Sequence, residues 1–360
     1  MNITILGLSL SSSWGNGHAT TYRSLIKGLY EEGHQVTFLE RDVPWYAPHR
    51  DLPKPGYCKL FFYRNLEDLK EKYTETVREA DVVMIGSYVP EGVKVGEWVM
   101  DTSWGMHIFY DIDTPVTLAK LEEKDYEYLH PRLIPKYDIY FSFTGGPILQ
   151  HLQEKYSSPS AKALYCTADT SNYRPMNLPQ PKWDLAYLGT YSQDRQPLID
   201  TMLLGPARKW RKGRFMVAGP QYPGSIRWPK NVDRTNHLPP DLHVKFYNEQ
   251  RFTLNTTRQA MRQWGYAPSV RLFEAAACGT PIISDYWEGL ENVFEPGKEI
   301  LVSHSTTETL SFLRDMPEAQ RQQIAKNARQ KLLQHHSHRQ RARQFVEMVE
   351  TAKRGTRVPG

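Results

Sequence analysis

Arg271 and Glu274 stand three residues apart at the start of an otherwise apolar run, SVRLFEAAACGTPIISD, residues 269–285. Ser269 is a good N-cap, so a helix is expected to begin at Val270. The amides of its first turn have no intrahelical acceptor and the helix dipole is positive there, so this end can hold a phosphate. Arg271 adds a forked cation matched to phosphate oxygens. Glu274, one turn on, offers a carboxylate that can accept from both hydroxyls of a ribose. Small Ala275–Ala277 let the helix approach a sheet closely, and Gly279 ends it before Thr280-Pro281 turns the chain into the next strand. The plainer alternative is a surface ion pair at i,i+3, worth about 0.2–0.5 kcal/mol. The apolar setting favours the ligand.

A second cluster lies near the N-terminus. SSSWGNGHATTYRSL, from Ser11, joins an apolar first strand to a helical pattern, and Gly15 and Gly17 permit close approach of a ligand. His18 follows; an imidazole titrates near neutrality and can deprotonate a hydroxyl, although capping or plain exposure is the default for one loop histidine. The loop is not GxGxxG, since Thr20 occupies the third glycine position and residues 8–18 make it long for a dinucleotide turn. Further on, HIFYDIDTP (107–115) ends a strand with Asp111 and Asp113 on one side. Asp113 is a candidate base or acceptor-orienting group, and equally a helix cap.

These residues need a scaffold. With 360 residues, 40% of them hydrophobic and 24% charged, and with no repeat, the chain fits two soluble domains. A net charge of +5 does not indicate nucleic acid. Short apolar runs alternate with helical patterns. Strands are expected at Ile3–Leu8, Gln35–Glu40, Asp81–Gly86, His107–Asp111, Ile139–Phe143 and Ala163–Cys166. After RPMNLPQPK (174–182), with its three prolines, they restart at Asp184–Gly189, Arg214–Gly219, Arg251–Asn255, Pro281–Asp285 and Glu299–Ser303. Continuous apolar strands separated by helices mean parallel sheets covered on both faces. The expectation is α/β: two Rossmann-like domains, 1–173 and 183–335, joined by the 174–182 linker and facing each other across a cleft. Residues 336–360 would pack back toward the first domain. Ligands in such sheets bind at the carboxyl ends of strands.

Cys58, Cys166 and Cys278 are odd in number and far apart, which fits a reducing compartment better than disulfides or zinc. The N-terminus has no basic n-region and no run reaches 18 apolar residues, so a cytoplasmic protein is expected. Residues 319–346 contain seven Lys/Arg, three His and no acid. They read either as a solvated helical face or as a peripheral contact for anionic lipid at the inner face of a membrane.

EAAACGTPIISDYWEGLENVFEPGKEILV (274–302) resembles the donor-binding segment of GT-B glycosyltransferases of the group 1, family 4-like kind. GYAPSVRLFEA, with arginine three before the glutamate, is closer to the CgeB-like branch. The resemblance implies a nucleoside-diphosphate sugar on the second domain, with Glu274 on the ribose. It also implies diphosphate contacts from LGTYSQDRQP (188–197), for which Thr190, Tyr191 and Arg195 are the candidates; a plain loop capped by Asp194 is the alternative. Asn255, ending RFTLN, is a weaker donor candidate, alongside Gly17, Ser269 and Val270. Some GT-B families keep a histidine where His18 stands. The DID sequence looks like the metal-binding DxD of the other major glycosyltransferase fold, but the resemblance implies arginines and helix ends in place of a metal. One departure stands out: Tyr266 occupies the position, eight before Glu274, where many retaining members carry a second glutamate.

The resulting expectation is a metal-independent glycosyltransferase without a cofactor, using a nucleotide-sugar co-substrate, UDP-sugar favoured. The acceptor is a glycan, a lipid-linked molecule or a small molecule, in the setting of cell-surface glycan synthesis. Three alternatives stay open: a nucleotide-sugar epimerase on the same fold, a non-catalytic sugar-binding protein, and an NAD(P)-linked oxidoreductase. The last is prompted by Glu40, at the end of the second strand and about 23 residues after Gly17.

Overall fold

A computed structural model describes residues 1–14, 17–178 and 180–355, so Gly15 and Pro179 lie outside the described residues. The chain forms two compact units: Met1–Thr167 together with the chain from His338 onward, and Ala168–Ser337.

The first unit is built on seven parallel strands: β1 Asn2–Gly7, β2 Gln35–Arg41, β3 Lys59–Tyr63, β4 Val82–Gly86, β5 Met106–Asp111, β6 Ile139–Ser142 and β7 Ala161–Ala163. Their order is β3-β2-β1-β4-β5-β6-β7. Because β1 pairs with β2 on one side and with β4 on the other, the strand order reverses between β1 and β4. At such a reversal the loops leaving the carboxyl ends diverge and open a crevice. The apolar stripe Tyr22, Leu25, Ile26 and Leu29 of helix His18–Glu31 is buried against this sheet, as its spacing requires. The last helix, His338–Gly355, covers the same region with Ala342, Phe345 and Val349.

The second unit repeats the plan with β8 Trp183–Leu188, β9 Phe215–Ala218, β10 Val232–Thr235, β11 Gln250–Asn255, β12 Ile282–Ser284 and β13 Leu301–Val302. They are ordered β10-β9-β8-β11-β12-β13 and all parallel, and the reversal falls between β8 and β11. Residues 168–178 and 180–182, most of the proline-rich stretch among them, belong with this unit. The Tyr173 hydroxyl donates to Glu274, and the Met176 amide donates to Asn248.

Two strands, β3 and β10, were not anticipated. Both sit at sheet edges, where one face stays wet, and VDRT (232–235) carries only one buried residue. Strand β7 ends at Ala163, short of the expected Ala163–Cys166. Its neighbour β6 stops at Ser142, and the Leu164 amide makes the final bond, to the Ser142 carbonyl.

The contact between the first and last helices of the first unit is intimate. A Cβ placed on Gly28 would lie 2.3 Å from the carbonyl oxygen of His338. Gly28→Ala is therefore expected to destabilise the protein by about 1–3 kcal/mol through overpacking, read as a lowered urea midpoint.

Candidate functional site

In the second unit, the helix Val270–Cys278 ends at Gly279 in the left-handed region, and all its residues after Val270 are buried. Ser269 occupies the N-cap position, but its hydroxyl does not cap the helix. It donates to Oδ1 of Asn255 at 2.7 Å. The expected capping role is thus corrected: Asn255, wholly buried at the end of β11, draws the serine away, and the helix start keeps amides without a side-chain acceptor.

Arg271 does not pair with Glu274, so the surface ion-pair reading falls. Its Nε donates to the Leu188 carbonyl at 2.7 Å and its Nη1 to Asn255 Oδ1 at 2.8 Å, while the guanidinium lies 4.7 Å over the Tyr187 ring. It is 8% exposed, and no carboxylate pairs with it among the described residues. Arg271, Asn255 and Ser269 therefore form one network at the ends of β8 and β11, the point of strand reversal. Asn255 is tied down from its other side by donating to Ser284 Oγ.

The loop after β8 belongs to the same place. A Cβ on Gly189 would fall 2.5 Å from the Tyr187 hydroxyl and 2.9 Å from Arg271 Nη2, so a side chain there would push the guanidinium aside. Arg195 folds back to donate to the Thr190 carbonyl at 2.6 Å, and its Nε is buried without a partner. Tyr191 packs edge-on to Tyr222, whose hydroxyl donates to the Gly189 carbonyl. Asp194 does not cap its own helix; its Oδ2 accepts from the Gln259 amide. Tyr222, edge to face with Trp228, and Arg234, lying over the Trp228 ring, sit beside this loop and were missed by sequence reasoning. Their signal was the aromatic pair in the proline-rich loop PQYPGSIRWP, which contains no apolar run.

Glu274 is the surprise of the helix. It is 4% exposed, and its two oxygens accept from the buried hydroxyls of Tyr173, at 2.9 Å, and Tyr247, at 2.8 Å. Burial and the adjacent carboxylate push both phenols well above the usual tyrosine range. The carboxylate assigned to a ribose is thus held by the protein's own hydroxyls, which occupy one acceptor position on each oxygen.

In the first unit His18 opens its helix at the end of the loop after β1, and Asp113 follows β5. His18 Nε2 lies 3.9 Å from Asp113 Oδ2, and Tyr88, which follows β4, donates to that same oxygen at 3.3 Å. The His18 ring is 5.2 Å from Tyr88, edge to face, and its Nδ1 is buried without a partner. Two residues expected separately are therefore brought together, at the reversal of the first sheet, by a tyrosine that was not foreseen. Gly17 sits at the helix N-cap; Gly15 lies outside the described residues.

Two expectations are corrected here. Asp111 and Asp113 do not share a face. Asp111 is wholly buried, accepts from Tyr140 at 2.6 Å, Thr117 at 2.8 Å and the Asp113 amide, and is raised by burial to about 6. Glu40 is also wholly buried. Its carboxylate accepts from the Leu10 and Ser11 amides and from the Ser9 and Ser11 hydroxyls, which organises the loop after β1. It has no role left as a ribose ligand of a dinucleotide, and the oxidoreductase alternative loses its motive.

A cavity of about 610 Å³ opens elsewhere, at the amino-terminal ends of β1, β2 and β3. None of the candidate site residues lines it, and within the first unit the length of the sheet separates it from His18 and Asp113. The basic run near the C-terminus is largely engaged: Arg339 and His338 pair with Glu31, Arg343 with Glu32, and Arg329 bonds the Ala277 carbonyl. Among the described residues no helix is long and apolar enough to cross a membrane.

Residues 195–347 match the family described as glycosyl transferase-like. The fold is similar to that of sucrose-phosphate synthase from Thermosynechococcus elongatus (13% identity, 99% of this chain and 100% of that one, TM-score 0.70). It is likewise similar to an alpha-glucosyltransferase in complex with UDP (13% identity, 97% and 100%, TM-score 0.72). Anabaena HepE in complex with UDP-glucose is a third such structure (13% identity, 98% and 100%, TM-score 0.67). No curated protein matches the chain. Identities this low speak for fold. Together with the family match, they make the chain a GT-B-fold protein whose second unit is glycosyltransferase-like.

Asp285, at the end of β12, supports the loop after β11 by accepting from the amide and hydroxyl of Thr257 through Oδ1. Burial raises its carboxyl to about 6 from 3.8. The folded state thus binds a proton more tightly than the unfolded chain, so stability falls as pH rises between those two values. In Asp285→Asn that loss is absent. The variant's stability relative to wild type should rise by about 2 kcal/mol from pH 4 to pH 7, read by urea denaturation at both.

Proposed function

We propose that the protein is a glycosyltransferase that moves a sugar from a nucleoside-diphosphate sugar, bound by the second unit, to an acceptor hydroxyl at the first. The observation that carries this reading is Arg271, a buried guanidinium at the reversal of the second sheet that no carboxylate among the described residues neutralises. Taking a charge from water costs several kcal/mol unless an opposite charge compensates it. A diphosphate would supply that charge, with the uncapped start of the Val270 helix and Arg195 beside it.

In the reaction the bond between the anomeric carbon and the diphosphate oxygen breaks, and the sugar passes through an oxocarbenium-like state. Negative charge grows on the departing diphosphate. Arg271, Arg195 and the helix start stabilise it without a metal, because they are fixed before the reaction begins. The acceptor oxygen bonds to the anomeric carbon and gives up its proton. In an inverting enzyme His18 takes that proton and Asp113, 3.9 Å away, steadies the imidazolium. In a retaining enzyme the leaving phosphate takes it. A UDP-sugar is the first donor to test, because an alpha-glucosyltransferase and HepE of similar fold were solved with UDP and UDP-glucose.

In a thermal-shift panel of UDP, GDP, dTDP, CMP and their sugars, at least one is expected to raise the melting temperature. At 100 times its Kd the ligand contributes about 2.7 kcal/mol. Arg271→Lys should weaken that ligand by about 10–100-fold, the loss of one bidentate charge-assisted contact. If none of the panel shifts the protein, the reading fails. A new sugar isomer formed from donor alone would favour the epimerase instead.

His18→Ala should lower kcat by about 10²–10⁴-fold while leaving the nucleotide's thermal shift intact. An unchanged kcat would remove His18 from the chemistry and favour the retaining route.

A further inference from the structure

The loop after β4, residues 87–91, holds two residues other than glycine in the left-handed region, Tyr88 at φ 63° and Glu91 at φ 57°. A tyrosine is disfavoured there, and a glycine would relieve the chain. Residues held this way persist only where their surroundings fix them, and they concentrate at functional sites. Glu91 stands at the N-cap position of helix Gly92–Thr102 and pairs with Arg41 and Lys94. Tyr88 instead meets His18 and Asp113. Its ring lies edge to face with the imidazole at 5.2 Å, and its hydroxyl donates to Asp113 Oδ2 at 3.3 Å.

Asp113 needs such a partner. Its side chain is 24% exposed and does not cap the helix Thr114–Glu122 that follows. Buried Asp111 accepts from the Asp113 amide at 3.2 Å and so fixes the backbone, which leaves the carboxylate to be held by something else. Among the described residues, the Tyr88 hydroxyl is the hydrogen-bond donor that holds it. The same Oδ2 lies 3.9 Å from His18 Nε2, beyond hydrogen-bond length, so it acts on the imidazole through its charge. That effect depends on distance, and the distance depends on where Tyr88 keeps the oxygen.

Tyr88 is itself braced. Its ring lies 4.7 Å from that of Tyr128, which is 2% exposed and whose hydroxyl meets Thr117 Oγ1 at 2.8 Å. A Cβ on Gly92 would fall 2.6 Å from the Tyr128 carbonyl oxygen, so the next helix presses on that residue. The Ser87 amide donates to the Tyr110 carbonyl at 3.0 Å and the Ile112 amide to Ser87 Oγ at 3.1 Å, which joins the loops after β4 and β5. Burial, and then the carboxylates of Asp113 and Asp111, push the Tyr88 phenol above the usual tyrosine range. It therefore keeps its proton and remains a donor when His18 changes charge.

We infer that Tyr88 is a positioning residue, whose hydroxyl fixes the Asp113 carboxylate where it steadies the His18 imidazolium. The inference rests on the inverting route of the glycosyltransferase reading. In that route the acceptor's proton passes to His18 as the acceptor oxygen bonds to the anomeric carbon, and Tyr88 and Asp113 exchange none.

The first measurement needs no donor. It is the pH midpoint of the His18 ring signal, read by NMR on the full chain and identified by its loss in His18→Ala. Among the described residues Asp113 and Tyr88 are the titratable groups that meet this ring, with Asp111 and Tyr128 behind them. Asp113→Asn is expected to lower the midpoint, and Tyr88→Phe, which keeps the ring, to lower it less. The double variant should match Asp113→Asn alone, because Tyr88 acts through that carboxylate. An unmoved midpoint in Tyr88→Phe, or a further fall in the double variant, overturns the inference. The second measurement is hydrolysis of UDP-glucose, or of the panel sugar nucleotide that shifts the protein, with water as acceptor. Tyr88→Phe should lower kcat about 3–10-fold, the weight of one hydrogen bond, with KM and the nucleotide's thermal shift unchanged. In the His18→Ala background it should change nothing. An equal loss there, or an unchanged kcat in the single variant, removes Tyr88 from the reaction and overturns the inference. If the midpoints move as stated but no nucleotide shifts the protein, the glycosyltransferase reading fails while the positioning of Asp113 stands.

Discussion

An arginine that is dry and uncompensated organises the second unit. Arg271 could be tolerated where it stands only because dipoles meet it on every side described: the Leu188 carbonyl, the Asn255 amide oxygen and the face of Tyr187. Each is a partial charge, and together they orient the guanidinium without cancelling it. Asn255 can serve because Ser269 and Ser284 hold its side chain, and that is why Ser269 cannot cap the helix. The uncapped helix start and the unneutralised arginine are therefore one feature with a common cause. Gly189 follows from it too, since a side chain there would displace the guanidinium.

The first unit shows the opposite solution at the end of β2. Glu40 is as buried as a carboxylate can be, but two amides and two hydroxyls close around it, and nothing remains for a ligand. Its charge is spent on shaping the loop that carries Trp14 and leads to His18. A saturated carboxylate builds a rigid wall, whereas an unsaturated guanidinium leaves a binding site. The comparison explains why the two sheets, so alike in strand order, point to different ligands.

Much of this was legible in the sequence, for identifiable reasons. The central strands are buried on both faces, so they read as unbroken apolar runs, and helix Val270–Cys278 was marked by its alanines and Gly279. Edge strands β3 and β10 escaped because half of each is wet and no run forms. At the site, sequence reasoning found Arg271, Asn255, His18 and Asp113, residues whose chemistry is unusual for their local setting. It did not find Tyr88, Tyr173, Tyr222 or Tyr247. Their importance lies in partners 25 to 101 positions away, which no local pattern of residues reveals. Glu40 misled for the same reason: its position invited a ribose, and only the folded loop shows that its acceptors are full.

Tyr266, which stands where many relatives have a glutamate, has a structural account. It lies in the left-handed region at φ 49°, its amide donates to the Glu288 carbonyl, and its ring packs against Gly289, where any Cβ would meet the ring at 2.2 Å. Gly265 approaches Glu288 as closely from the other side. The loops after β11 and β12 are therefore latched to one another through Tyr266, and the residue serves as a clasp. A glutamate at this position would have to leave the glycine seat and face solvent or ligand. Asp285, accepting from the amide and hydroxyl of Thr257, ties the same two loops together from below.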